Sequence, residues 1–307
     1  MNRLHCPPRW TAALVCVMAL LGVAAVLAQS LPASGATARD PAVTLTTRYA
    51  DVAGALAHSP FGLPLVVSSR DEGSLAEGEI LGIVPHPFAT LAAAFASPQA
   101  FCDVAVLHPN VKGCTRARVD GEERVTLYAG RKHYEPATRV YAQDYVALVP
   151  RVEAGYLRVV LQASAGPLDT HDYTFTLEAI PAGDATFIAV RYAYRSSLAS
   201  RAVATGYLAT VGAGKTGFSL SEAGGPARGV RGIVERNAMR HYLALLAVLD
   251  TATVSEDART SARLDRYYTL TDRFAAQLRE FDRHEYVAIK TRELAEQRDR
   301  DRHNSGS

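Results

Sequence analysis

Apolar residues recur at spacings of three and four between Gly229 and Thr251 (GVRGIVERNAMRHYLALLAVLDT), the period of a helix lying on a packed surface. Val230, Ile233 or Val234, Asn237, His241, Leu245 and Val248 share one face, and Met239, Tyr242, Leu246 and Leu249 widen it. Arg228, Arg231, Glu235, Arg236 and Arg240 place charge elsewhere on the cylinder. The apolar face is nearly continuous after His241, which predicts burial along most of the helix. Gly224, Gly225 and Pro226 break the chain just before it. Asn237 and His241 sit one turn apart on the inward face. Two readings stand: core polar groups satisfied by neighbours, or groups that orient a guest in a cavity under the helix.

Upstream, the pattern predicts a short helical entry and then strands. Glu79 to Val84 (EILGIV) is a short apolar strand ended by Pro85 and Pro87. Phe88 to Phe101 reads as a short helix broken near Pro98, and His108-Pro109-Asn110 as a turn. From Arg124 the period becomes two. Val125, Leu127 and Ala129 alternate with Thr126, Tyr128 and Gly130. Further strands are expected over 138–149 and 156–164. In the next, Tyr173, Phe175 and Leu177 face away from Thr174, Thr176 and Glu178. In the last, Ile188, Val190, Tyr192 and Tyr194 oppose Arg191 and Arg195. Turn residues separate these runs closely (Asp120-Gly121, Ala154-Gly155, Gly166-Pro167, Gly183-Asp184), so the strands are expected to be antiparallel. Ser197 to Thr205 is a helical turn or a loop. Tyr207 to Val211 and Lys215 to Ser219 read as strand either side of a glycine-rich turn. The predicted class is α+β.

The order strand, short helices, antiparallel meander, long helix resembles the START-like (SRPBCC, helix-grip) superfamily. The resemblance covers about residues 79–251 and is one of topology and pattern rather than of a diagnostic motif. It implies a curved antiparallel sheet gripping the long C-terminal helix, with an apolar cavity between them. It also implies binding of lipids, sterols, polyketides or other hydrophobic ligands. The candidate lining is the aromatic strand faces (Tyr141, Tyr145, Tyr173, Phe175, Tyr192, Tyr194) with Asn237 and His241 from the helix. The same aromatics also serve as simple core.

The N-terminus changes the picture of compartment. Arg3 and Arg9 precede a charge-free apolar run from Thr11 to Ala28, with small residues where a signal peptidase reads. Residues 1–28 are expected to be a signal peptide, and export to the bacterial periplasm is the expectation. The alternative is an inner-membrane anchor over residues 11–28. Losing 1–28 removes two arginines and leaves 31 basic against 31 acidic side chains. The pI of 8.3 is therefore no sign of a nucleic-acid partner. Residues 29–78 read as a linker and leading segment, with 30–47 small, polar and proline-containing. Two cysteines then remain, Cys102 and Cys114, which an oxidising compartment would join; the alternative is two buried free thiols. No metal site and no cofactor are expected.

Ala209 to Thr216 (ATVGAGKT) satisfies the loose phosphate-binding-loop pattern. That chemistry needs a helix N-terminus next, and Gly217 to Pro226 is a poor helix, so a hairpin turn is the better reading. No HExxH, GxSxG or paired-carboxylate signature occurs, and no catalytic residues are assigned. Thr253-Val-Ser-Glu256 has the capping-box pattern. A second helix is expected from there to about Arg298, with Leu264, Tyr267, Thr271, Phe274, Leu278 and Phe281 on one seam. Residues 252–299 form this helical extension and 300–307 a tail. The extension packs back on its own domain or offers a protein partner or homodimer surface over 253–298. The expected function is a periplasmic binding or carrier protein for a hydrophobic, lipid-like molecule. The alternatives are an envelope interaction protein using the C-terminal helix, and an enzyme with His241 as base and Arg236 or Arg240 stabilising an anion.

Overall fold

The computed structural model describes residues 40–305, apart from 211–213 and 222–223. The expected signal peptide or anchor and Cys6 and Cys16 lie outside the described residues. The first described element is α1 (Pro41–Ala57), started by Pro41 and by Asp40, whose carboxylate accepts the Ala42 N–H at 2.9 Å. The segment expected as a linker is thus helical from Pro41. Strands β1 (Leu65–Glu72) and β2 (Leu75–Val84) form a hairpin. Helices α2 (Phe88–Phe95) and α3 (Pro98–Ala105) follow, divided by Ser97 and Pro98 as the sequence indicates. A meander comes next: β3 (Val111–Val119), β4 (Glu122–Ala129), β5 (Tyr141–Ala147), β6 (Arg151–Glu153), β7 (Tyr156–Ala165), β8 (Thr170–Ala182) and β9 (Ala185–Ser196). Then come α4 (Leu198–Ala209), the long α5 (Gly229–Asp250), α6 (Glu256–Asp272), α7 (Ala275–Leu278) and α8 (Arg283–Ser305).

Among the described residues, nine strands make one curved antiparallel sheet in the order β1-β2-β9-β8-β7-β5-β4-β3, with β6 on β7. Helices α2 and α3 carry the chain from β2 to the opposite edge at β3. Helix α5 lies across the inner face, which is the helix-grip arrangement. Gly78 and Gly82 on β2 make that seat. A Cβ at Gly78 would stand 2.8 Å from the Val234 carbonyl oxygen, and one at Gly82 3.0 Å from the Tyr242 ring. The helix backbone therefore rests directly on β2. The inner core continues along Leu177, Ala179, Ile188 and Val190, the residues that the alternation points inward. The outer face carries a second core, Leu81, Tyr156, Ile180, Phe187 and Ala189, covered by Leu45 and Leu56 of α1.

Three expectations are corrected. Tyr207 falls in α4, not in a strand, and residues 215–219 form no strand. The reason is a buried carboxylate. Glu235 accepts the N–H groups of Phe218 (2.6 Å) and Ser219 (2.9 Å), so these donors are not offered to a ladder. A Cβ at Gly217 would overlap Glu235 Oε2, which confines that position to glycine. Secondly, Glu235, Arg236 and Arg240 are not on a solvated face of α5: all three are buried. Thirdly, the C-terminal helix is broken. Phe274 leaves helical geometry, residues 279–282 are extended or bent, and Ser255 caps α6 without a side-chain hydrogen bond. The seam residues Leu264, Tyr267, Phe274, Leu278 and Phe281 are buried in the domain's own core. Cys102 of α3 and Cys114 of β3 form the disulfide, with Cα atoms 5.4 Å apart.

Candidate functional site

The inner face is not filled evenly. Helix α5 sits on β1 and β2, and over β8, β9 and β4 a cleft of about 670 Å³ remains. Its floor is Tyr173 of β8 with Tyr192 and Tyr194 of β9. Its roof is Val230, Ile233 and Asn237 of α5, and its mouth is bounded by Leu168, Arg201 and Val203. Tyr173 and Tyr194 stack with ring centroids 5.3 Å apart, and Tyr192 stands 5.8 Å from Tyr194. The Tyr173 hydroxyl bonds Thr170 Oγ1 at 2.7 Å. Its ring lies where a Cβ at Gly166 would be, 2.2 Å away, so only glycine admits it. Burial pushes the Tyr192 phenol well above its ordinary value and Tyr194 up to about 12, so both present neutral hydroxyls. Leu168 holds a positive φ of 58° and is 69% exposed, a strained apolar residue at the mouth.

A second compartment of about 400 Å³ adjoins the first and shares Asn110, Arg131, Ile233 and Asn237 with it. Its own residues are Lys132, Arg236 and Arg240 with His133. Arg236 and Arg240 are each only 4% exposed and lie one turn apart on α5. Arg236 donates to the Thr216 carbonyl at 3.1 Å. Arg240 donates to Glu280 at 2.8 Å, and Lys132 reaches the same carboxylate oxygen at 2.7 Å. Lys215 pairs with the other oxygen. Burial pulls Lys132 down to about 8; Glu280 opposes this, and Lys215 and Arg240 add to it.

Of the residues expected to line a site, Tyr173, Tyr192, Tyr194 and Asn237 meet in this cleft. Tyr145 is packed in the core against Phe101 and Tyr173, and Tyr141 is 39% exposed, outside the lining. Phe175 and His241 line a different crevice of about 20 Å³. His241 is stacked on His108 (5.4 Å) and Tyr192 (5.8 Å), and its Nδ1–H donates to the Asn237 carbonyl at 2.7 Å. Burial and then Arg240 lower its pKa, so it is neutral. His108 accepts the Asn110 N–H on Nδ1 at 3.1 Å and keeps its buried Nε2–H unpartnered. Burial first, then Arg240, His241 and Lys290, hold it well below its ordinary value. The base and arginines of the catalytic alternative therefore do not converge: the arginines face the cleft, and the imidazole is stacked behind it.

Sequence reasoning missed Arg131 and Lys132 as lining, and named Arg236 and Arg240 only for the catalytic alternative. The available signal was Arg236 and Arg240 at i and i+4 beside a helix face already marked as inward. What it lacked was the chain that covers them, residues 214–219 and 278–280.

No protein-family model matches the chain, and no curated protein matches it. Among solved structures it is similar to a STAR-related lipid transfer protein from Xanthomonas axonopodis, at 16% identity over 61% of this chain and 93% of that one, TM-score 0.37. It is similar to the Zhui aromatase/cyclase from Streptomyces sp. R1128 at 9% identity, over 66% of this chain and 94% of that one, TM-score 0.31. A conserved protein from Geobacillus kaustophilus matches at 10% identity, over 57% and 96%, TM-score 0.35. Likeness at this level decides nothing further; the helix-grip assignment rests on the strand order and the seat of α5.

Proposed function

We propose that the protein is an exported, periplasmic carrier for a hydrophobic, lipid-like small molecule held between the sheet and α5. The observation that supports it is the cleft of about 670 Å³ floored by Tyr173, Tyr192 and Tyr194. Ligand sites fall in the range of roughly 300–1,000 Å³, apolar with a few placed polar groups. The phenols and Asn237 supply those groups, and Val230 and Ile233 supply apolar roof. Export is favoured by Arg3, Arg9 and the apolar run to Ala28, and by a disulfide suited to an oxidising compartment. Stacking of His241 away from the cleft favours a carrier over an enzyme using that base. Burial of Leu264, Tyr267 and Leu270 within the domain leaves a protein partner only the polar side of the C-terminal helices.

The test is to express the full chain in a bacterium, fractionate the cells, and purify the protein from the periplasm. Organic extraction followed by mass spectrometry is expected to release a lipid-like species at about one per protein. Retention in the cytoplasm would refute export, and an empty extract together with no uptake of added lipid would refute the carrier.

A further inference from the structure

We propose that His241 sets the depth of the cleft: its imidazole walls the tyrosine compartment off from an apolar crevice behind it, and so limits the length of the guest's apolar chain. This rests on the carrier reading and specifies which guests the carrier admits. Two spaces meet at one ring. On one side are Tyr192 and Asn237, which line the 670 Å³ cleft. Tyr192 stacks on the imidazole at 5.8 Å, and the Asn237 carbonyl accepts its Nδ1–H at 2.7 Å. On the other side is the crevice of about 20 Å³, which His241 itself borders. Its outer rim, Ser97, Leu148 and Pro150, is exposed or half-buried, and its inner end, Leu177 and Leu245, is buried.

The chemistry of the crevice suits a chain end. Apart from Ser97 at the rim, His241 is the one polar side chain among its described lining. An alkyl tail passing the ring would therefore meet apolar groups throughout. What stops it is a wall that is held on several sides. His108 stacks on the imidazole at 5.4 Å, and Phe175 leans on it at 5.8 Å. With the Tyr192 ring and the Nδ1–H bond, these contacts fix the side chain in place. The ring is nevertheless half-buried, because part of it borders open space. Its acceptor is a carbonyl one turn back, which the helix ladder already uses. Removing the ring therefore opens room without leaving that acceptor unpaired.

The experiment measures primary alcohols of eight to sixteen carbons on the full chain, by displacement of a fluorescent long-chain probe. In the wild type, affinity is expected to climb with each carbon and then stop rising at one length. In His241→Ala the stop is expected at least two carbons later. The first alcohol past the wild-type stop should bind this variant fourfold or more tighter than it binds wild type, since one newly buried methylene is worth a factor of about four. His241→Phe, which restores a ring, should keep the wild-type stop. Should His241→Ala not fold, His241→Val must show the same shift in smaller measure. The absence of a stop in wild type, the same stop in wild type and the small variant, or an equal shift in His241→Phe would overturn this inference and leave the carrier reading intact. Binding of no alcohol by wild type would overturn both.

Discussion

Two carboxylates in this protein each gather more than one cation, and they differ in what surrounds them. Glu293 of α8 takes Lys112 of β3 at 2.9 Å and Lys290 at 2.7 Å, and all three side chains are sealed from water. Further ammonium donors go to backbone carbonyls: Lys112 to Pro109 (2.9 Å) and Lys132 (3.1 Å), Lys290 to Val111 (2.6 Å). Glu280 takes Lys132, Lys215 and Arg240, but two of these, Lys132 and Arg240, line a 400 Å³ compartment. The two hubs are joined at Lys132, whose carbonyl serves the first and whose ammonium serves the second. Both show an excess of positive charge. In the first, fixed carbonyl dipoles absorb it and the cluster clamps α8 to the sheet. In the second, Arg240 also donates to the Leu278 carbonyl at 3.3 Å, but Lys132 and Arg240 border open space. What separates a clamp from a site is thus the space beside the charges, not their composition.

That contrast makes graded predictions. Glu293→Ala leaves two buried lysines uncompensated and should destabilise the protein by about 3–5 kcal/mol. Thermal melting should show a loss on the order of 10 °C, and an unchanged melt would mean the cluster is not sealed. The next effect is pH dependence. Burial pulls Lys290 down to about 8 even beside Glu293, whereas an unfolded lysine titrates near 10.4. Between these values the unfolded chain holds more protons, so stability should rise with pH, on the order of 2 kcal/mol from Lys290. Above about pH 10 the sign reverses. Buried tyrosines such as Tyr145 and Tyr267, raised by burial, stay protonated in the fold while unfolded tyrosine ionises. Chemical denaturation from pH 7 to 11 should therefore show a maximum near 10, and Lys290→Met should flatten the ascending limb. The smallest effect is Glu280→Gln, at about 1 kcal/mol, because its cations can be rehydrated from the cleft.

Legibility in the sequence followed the regularity of burial. Helix α5 ends at Asp250, one residue before the expected limit, because its apolar sector is wide and its breaker is sharp. The inward faces of β8 and β9 were readable from strict alternation at Tyr173, Phe175 and Leu177 and at Ile188, Val190 and Tyr192. Strand β3 was not readable: Lys112 and Gly113 interrupt its buried half, and Arg116 and Arg118 dominate the rest. Helix α1 was hidden by small and polar residues, with only Leu45 and Leu56 fully buried. The tyrosine floor of the cleft was legible because strand alternation fixes its direction. The basic end was not, because charge on a helix ordinarily signals solvent, and Arg236 and Arg240 are covered by chain distant in sequence. Phe175 and His241 share the inward face but stand over tight packing, a distinction of a few ångströms that periodicity does not encode.

The most direct measurement is a crystal structure of the protein loaded with a brominated long-chain fatty acid, located by bromine anomalous scattering. The account predicts bromine between Tyr192, Tyr194 and Val230. Bromine on the outer surface, or none at saturating ligand, would contradict it.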